Sequence, residues 1–143
     1  MRVLDVEIRS KMTVPLMAGQ VAAGFPSPAD DFEERPLDFN ELLVRNPAAT
    51  FAVRAQGDSM AGAGIFDGDI CVVDRSVKPV DGCVVVALLD GAFTMKRLRM
   101  KGQRVWLQAE NPHYPDIPVT DGSEFEIWGV VTHAVRMLQR GAG

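Results

Sequence analysis

Two residues of the sequence have the side chains that a serine nucleophile and its base require. Ser59 lies in the segment Gly57-Asp58-Ser59-Met60, which interrupts a strand pattern ending near Ala55, and Lys96 lies in a later apolar strand pattern. A serine hydroxyl is a poor nucleophile until a base takes its proton, and a lysine serves as that base when burial lowers its pKa. The backbone N–H groups of Asp58 and Ser59 would stabilise the oxyanion that forms on the attacked carbonyl. Together these residues predict a Ser-Lys nucleophilic site.

Each of these residues, taken alone, has a commoner structural explanation. A serine after an aspartate is typical of turns and helix caps, and a lysine in a strand usually lies at a solvated edge. Because side chains alternate along a strand, Lys96 shares its face with Thr94 and Leu98 and has the option of pointing inward. Neither His113, beside prolines, nor His133, in the last apolar strand, offers a plausible alternative base.

The elements that would position these residues are short strands joined by tight turns. Asp90-Gly91 lies between two apolar runs and predicts a two-residue hairpin turn, whose second strand would carry Lys96. One short helix is predicted after Asp38, a capping residue with Glu41 three positions later. The expected fold is mostly β, a compact body of short antiparallel strands with an extended N-terminal arm. Strands are predicted at 51–55, 70–73, 83–89, 92–98, 104–108 and 126–135.

Residues 1–36 differ from the rest of the chain. They contain several prolines and an acidic run at 30–34. Proline removes backbone donors and the acidic side chains repel one another, so we expect an arm rather than a packed unit. Its scattered apolar residues are expected to dock on the body or on a partner. The predicted organisation is an N-terminal arm over 1–36 and a β-rich domain over 37–143.

Composition and charge argue against several classes of function. The chain has 143 residues and a formal net charge of −4, and 47% of its residues are hydrophobic. A chain of this length can bury a core without disulfides or metals. The acidic balance argues against a general nucleic-acid binder, which usually carries a basic excess. No apolar run is long enough for a membrane span, and charges interrupt the N-terminus where a secretory signal would need an apolar stretch. These features favour a cytoplasmic protein.

The two cysteines, Cys71 and Cys83, each lie in an apolar segment and are expected to be buried thiols. The sequence alone leaves a pairing between them open. Together with the two distant histidines they match no zinc spacing, so we expect neither a metal site nor a cofactor-binding residue.

Several motifs bring the sequence close to a known family. The chain resembles the LexA/UmuD family of self-cleaving Ser-Lys peptidases from about Thr13 to Arg136, which is nearly its whole length. The segment Ala22-Ala23-Gly24-Phe25 resembles the cleavage region of the UmuD branch. The other segments that carry the resemblance are Asp38-Phe39-Asn40-Glu41-Leu42-Leu43, Asn46-Pro47-Ala48-Ala49-Thr50, Gly57-Asp58-Ser59-Met60, Gly64-Ile65-Phe66-Asp67-Gly68-Asp69, Gly91-Ala92-Phe93-Thr94-Met95-Lys96-Arg97-Leu98 and Trp128-Gly129-Val130-Val131-Thr132-His133.

This resemblance implies both a chemistry and a biological role. It makes Ser59 the nucleophile, Lys96 the general base, and the bond between Ala23 and Gly24 the site of self-cleavage. It implies a homodimer whose cleavage is stimulated by the RecA–single-stranded-DNA filament after DNA damage, as part of the SOS response. The shortened product would be an accessory subunit of a UmuC-like, Y-family DNA polymerase in error-prone translesion synthesis.

Two other functions stay open at the level of sequence. The chain fits a non-catalytic interaction module that regulates a polymerase, and it also fits the peptidase domain of a truncated LexA-like repressor. Only 23 residues precede Gly24, which is too few for a three-helix reader of the major groove, so we expect no direct sequence-specific DNA binding. The accessory-factor interpretation is therefore preferred.

Overall fold

The computed structural model describes residues 2–8, 11, 13–17, 21, 23–24 and 34–139, which fall into two compact units. The larger unit comprises the described residues of 1–7 and 46–143, and the smaller comprises those of 8–45. Among these residues, no helix is long and apolar enough to cross a membrane. The strands are β1 (Arg2–Asp5), β2 (Thr13–Met17), β3 (Glu34–Asp38), β4 (Thr50–Arg54), β5 (Ile70–Asp74), β6 (Val84–Leu89), β7 (Ala92–Lys101), β8 (Arg104–Gln108), β9 (Ile117–Val119) and β10 (Phe125–Val135), and the helix is α1 (Phe39–Leu43).

The larger unit is built on one antiparallel sheet with the strand order β1-β4-β5-β10-β6-β7-β8-β9. Because neighbouring side chains on a strand point to opposite faces, Val85 and Val86 contribute to two different core clusters. The predicted mostly-β fold of short antiparallel strands with one short helix is confirmed. The first cluster contains Val53, Met60, Ile65, Cys71, Val73, Val86 and Met95; the second contains Val85, Ala87, Leu98, Leu107 and Val130.

The predicted hairpin turn at Asp90-Gly91 joins β6 to β7. Asp90 has φ 48° and Gly91 has φ 82°, the pair of positive values that a two-residue type I′ turn requires. Glycine adopts this conformation freely because it lacks a Cβ. The turn fixes the register of the two strands and places Lys96 opposite Val85, a fully buried residue.

Four strands lie outside the sequence predictions. Ile117–Val119 forms the sheet edge beside β8, where Pro118 is tolerated because an edge strand has one side free of ladder hydrogen bonds. At the opposite edge, β1 pairs with β4 although its residues fall in the predicted arm. The remaining two, β2 and β3, pair with each other in the smaller unit. Apolar patterning was too short in all four to indicate a strand.

The smaller unit also contains the predicted helix. The side chain of Asp38 accepts a hydrogen bond from the Asn40 N–H at 2.8 Å, and α1 runs from Phe39 to Leu43. The predicted helix start at Asp38 is therefore confirmed. Ala23 and Gly24 lie between β2 and β3 in sequence and are exposed. Most of the acidic run and the segment 25–28 lie outside the described residues.

Candidate active site

Ser59 lies in a tight turn that follows the end of β4. The Ala61 N–H donates to the Asp58 carbonyl at 3.1 Å, which closes the turn around Ser59, and a short 3₁₀ helix follows over Ala61–Ala63. The turn begins where the Gly57 N–H donates to Asp67 Oδ1 at 2.8 Å. The serine is half-buried, whereas Met60, the next residue, is buried in the first core cluster and anchors the turn.

The structure brings Lys96 to Ser59 from β7, which three strands separate from β4 in the order of the sheet. Nζ of Lys96 lies 3.2 Å from Oγ of Ser59. The same ammonium donates to Oγ1 of Thr94 at 2.9 Å and to the Met95 carbonyl at 3.2 Å. The structure therefore places Ser59 and Lys96, the two residues that the sequence selected, within hydrogen-bonding distance of each other.

Burial lowers the pKa of Lys96 from its ordinary value of 10.5. Desolvation disfavours the charged ammonium, and among the described residues no carboxylate pairs with this lysine to restore it. As an ammonium, Lys96 has three N–H donors for its three oxygen partners. As a neutral amine it keeps two donors, for Thr94 and the Met95 carbonyl, and its lone pair is left for the Ser59 hydroxyl.

The two side chains open onto a cleft of about 170 Å³. Met60, Ile65, Phe93 and Met95 give the cleft apolar walls next to the two polar groups. These apolar side chains keep the lysine partly desolvated. Its other lining residues are Arg54, Ala55, Gln56, Gly57, Ser59, Thr94 and Lys96.

The two predicted oxyanion donors are the backbone N–H groups of Asp58 and Ser59. Neither donates a hydrogen bond to any other residue in the described part of the chain. Unpaired N–H groups at the start of a helical turn are available to a ligand or to water.

Ala23 and Gly24, the predicted cleavage residues, belong to the smaller unit. Both are exposed, and a Cβ built on Gly24 would meet no atom within 4 Å. The Cα of Gly24 therefore has open space beside it.

A loop that the sequence analysis did not connect with the site holds the serine turn. The Glu110 N–H donates to the Ser59 carbonyl at 2.8 Å, and Asn111 and Tyr114 both donate to Asp58. These residues are separated from Ser59 by about fifty positions, so no local pattern connects them. The only sequence signal was the rigid run Asn111-Pro112-His113-Tyr114-Pro115.

The alternative nucleophiles and bases lie away from this cleft. Cys71 and Cys83 are free thiols, which settles the pairing that the sequence left open. Burial, with a contribution from the Asp69 charge, raises the pKa of Cys71 to about 11, so this thiol is protonated and inert at neutral pH. Neither His113 nor His133 lines the cleft.

With this geometry established, comparison with known proteins identifies the family. Residues 15–132 match the family model described as Peptidase S24-like. The chain belongs to this peptidase family. The predicted resemblance to LexA/UmuD self-cleaving serine peptidases is thereby confirmed.

Several relatives match most of the chain. Protein SamA of Salmonella typhimurium is 49% identical over 120 residues, covering 84% of this chain and 83% of SamA. Protein MucA of Escherichia coli is 41% identical over 124 residues, covering 86% of this chain and 84% of MucA. The LexA repressor of Acidithiobacillus ferrooxidans is 42% identical over 127 residues, covering 87% of this chain and 61% of the repressor.

Proposed function

We propose that this protein is a Ser-Lys peptidase that cleaves its own chain between Ala23 and Gly24. Residues 1–36 act as the substrate arm and residues 37–143 as the peptidase domain. The observation that carries the proposal is the 3.2 Å separation between Lys96 Nζ and Ser59 Oγ at an apolar cleft. Membership of the S24 family supports the same chemistry.

The proposed reaction begins with neutral Lys96. Its lone pair takes the Ser59 proton while Oγ attacks the Ala23 carbonyl carbon, giving a tetrahedral oxyanion that the N–H groups of Asp58 and Ser59 stabilise. Collapse breaks the bond to Gly24, whose nitrogen receives the proton from the Lys96 ammonium. Water then hydrolyses the resulting ester, which releases residues 1–23 and restores the serine.

Tethering makes this reaction feasible without a tight substrate site. An arm on the same chain, or on a dimer partner, presents the scissile bond at an effective concentration on the order of millimolar. Small residues at Ala23 and Gly24 allow the backbone to approach Ser59 closely. Attack within one chain and attack between the two chains of a homodimer both satisfy this condition.

We further propose that the protein is cytoplasmic, that its cleavage is regulated, and that the cleaved form binds a partner. The RecA–single-stranded-DNA filament would stimulate cleavage, and the shortened homodimer would serve a UmuC-like, Y-family polymerase in translesion synthesis during the SOS response. Support comes from the relatives SamA and MucA, which match over most of their lengths.

The mass of the purified protein after alkaline incubation tests the cleavage. We expect wild-type protein to lose residues 1–23, while Ser59→Ala and Lys96→Ala variants of equal melting temperature remain intact. Adding RecA, single-stranded DNA and ATP at neutral pH should accelerate the same cut. An intact wild-type chain under both conditions would contradict the proposal.

A mutagenesis assay in cells distinguishes the proposed peptidase from the non-catalytic interaction module. If cleavage is the regulatory step, Ser59→Ala abolishes damage-induced mutagenesis and a separately expressed 24–143 fragment restores it. If Ser59→Ala supports mutagenesis as the parent does, the chain acts as an interaction module and cleavage is dispensable.

A further inference from the structure

The loop after β8 contacts the serine turn at two consecutive residues. We call residues 110–114 the clamp loop. Asn111 Nδ2 donates to the Asp58 carbonyl at 3.0 Å, and the Tyr114 hydroxyl donates to Asp58 Oδ1 at 2.6 Å. The Glu110 N–H donates to the Ser59 carbonyl at 2.8 Å. The clamp loop thus holds both backbone carbonyls of the Asp58-Ser59 pair.

Holding a carbonyl also sets the direction of the amide in the same peptide unit. The Asp58 carbonyl and the Ser59 N–H share one planar trans peptide and therefore point in opposite directions. Two donors fix this carbonyl, the Ala61 N–H within the serine turn at 3.1 Å and Asn111 Nδ2 at 3.0 Å, and holding the carbonyl on one side directs the N–H to the other side, away from the clamp loop. That N–H has no partner within the described chain and is one of the two predicted oxyanion donors.

We propose that Asn111 is a positioning residue for self-cleavage, because its grip on the Asp58 carbonyl aims the Ser59 N–H at the oxyanion formed on Ala23. This inference rests on the proposed function. Tyr114 supports the same orientation by holding the Asp58 side chain.

The clamp loop is itself fixed to the strand that carries the lysine. The Glu110 carboxylate accepts a hydrogen bond from Nε of Arg97, the residue next to Lys96 on β7. The Gly62 N–H donates to the Glu110 carbonyl at 2.8 Å, and a Cβ built on Gly62 would lie only 2.6 Å from that carbonyl oxygen. Glycine is therefore required for this close approach. Glu110 therefore contacts both the serine turn and β7, the strand that carries Lys96.

The hydrogen bond from Tyr114 persists under the alkaline conditions that favour cleavage. Its acceptor, the Asp58 carboxylate, raises the pKa of Tyr114 above its usual value of 10. The phenol therefore stays protonated, and remains a donor, to higher pH than a free tyrosine would.

The test measures the rate of self-cleavage against pH for two substitutions of Asn111. Asn111→Asp keeps the oxygen that accepts the His113 N–H at 3.0 Å but replaces the amide donor with a carboxylate oxygen. Asn111→Leu has a similar size and no charge. Both variants lose the side-chain N–H that donates to the Asp58 carbonyl. Asp81→Asn is the matched control. Asp81 pairs with Arg99, which lies on the same strand as Lys96, but it contacts neither the serine turn nor the clamp loop.

We expect both Asn111 variants to lower the alkaline plateau rate at least tenfold, since a missing oxyanion donor costs about 10²–10³-fold and a misaimed one costs less. In Asn111→Leu the pH midpoint of the rate should stay that of wild type, because this change adds no charge near Lys96, and Asp81→Asn should cleave at the wild-type rate. Melting temperatures establish that each variant is folded.

Two results would overturn the inference. One is a plateau within threefold of wild type in either Asn111 variant. The other is a rate loss in Asn111→Leu that a shifted midpoint explains completely, because that would indicate an effect on the pKa of Lys96 rather than on the orientation of the Ser59 N–H. If an Asn111 variant does not fold, Tyr114→Phe decides by the same criteria, with an expected loss of about fivefold.

Wild type and Ser59→Ala are measured in parallel. A wild-type chain that is not cut between residues 23 and 24 would contradict the proposed function and this inference with it. A wild-type chain that is cut, beside Asn111 variants that are cut equally fast, would contradict only the inference.

Discussion

Replacing Arg136 by methionine removes the ion-pair partner of the buried Asp69 carboxylate. Asp69 is only 1% exposed, and the Arg136 guanidinium reaches both of its oxygens, Nε to Oδ1 at 2.7 Å and the terminal nitrogen to Oδ2 at 2.6 Å. The Phe66 N–H supplies a further bond to Oδ2 at 2.8 Å. In Arg136→Met, Oδ1 loses its partner while the carboxylate stays buried.

The expected loss is about 3 kcal/mol of unfolding free energy. Each of the two charge-assisted hydrogen bonds contributes about 1.5–3 kcal/mol, and breaking a buried pair costs about 3–5 kcal/mol. The lower end applies because the Arg136 side chain is 41% exposed, so water screens the pair and partly replaces the guanidinium. Urea unfolding at neutral pH measures this difference.

The same pair predicts how stability depends on pH. Hydrogen bonding from Arg136 holds the pKa of Asp69 below its ordinary value of 3.8, against burial, which raises it. A carboxyl group with a depressed folded-state pKa stabilises the fold above the unfolded value and loses that contribution as the pH falls through the folded value. Wild type should therefore lose stability below pH 3.8, and Arg136→Met should lose less over this range.

The control for this measurement is the exposed pair of Asp81 and Arg99. Asp81→Asn should leave the unfolding free energy close to that of wild type, because solvent screens the exposed ion pair and asparagine keeps an oxygen for the Met100 N–H. A loss below about 1 kcal/mol in Arg136→Met, or an acid dependence identical to that of wild type, would refute the reasoning.

Three further predictions concern the site and the core. Thr94→Val removes one of the Lys96 partners without changing shape and should slow alkaline self-cleavage about tenfold, the equivalent of one hydrogen bond of about 1.4 kcal/mol, as followed by mass spectrometry. Because burial lowers the pKa of Lys96 and the neutral amine is the proposed base, the rate of self-cleavage without an activator should rise from neutral pH with its midpoint below pH 10.5; a rate flat from neutral pH to pH 10 would contradict a neutral lysine. Leu98→Ala empties a fully buried position in the second core cluster and should cost about 2–5 kcal/mol in urea unfolding, and a cost under about 1 kcal/mol would count against that packing.

The parts of the fold that the sequence predicted have local causes. The Asp90-Gly91 turn, the helix start at Asp38 and the strands of the core depend on conformational preferences within a few neighbouring residues. By contrast, β9 has three residues with a proline in the middle, and β1 owes its strand conformation to pairing with β4. Neither contains a local pattern strong enough to indicate a strand.

The candidate site divides in the same way. The residue types and the alternation along the strand were enough to select Ser59 and Lys96 and to place Thr94 on the same face as the lysine. The donors to Asp58 from Asn111 and Tyr114, and the contact between Glu110 and Arg97, join segments that are far apart in sequence. Their pairing depends on the order of the strands in the sheet, which local preferences do not encode.

The sequence by itself determined which side chains can act as nucleophile and base, because chemistry depends on residue type. Only the tertiary structure decided their separation, the desolvation that lowers the lysine pKa, and the clamp loop that orients the serine turn. All three depend on how segments distant in sequence pack together. They are set only when β7 and the end of β4 pack beside the loop that follows β8.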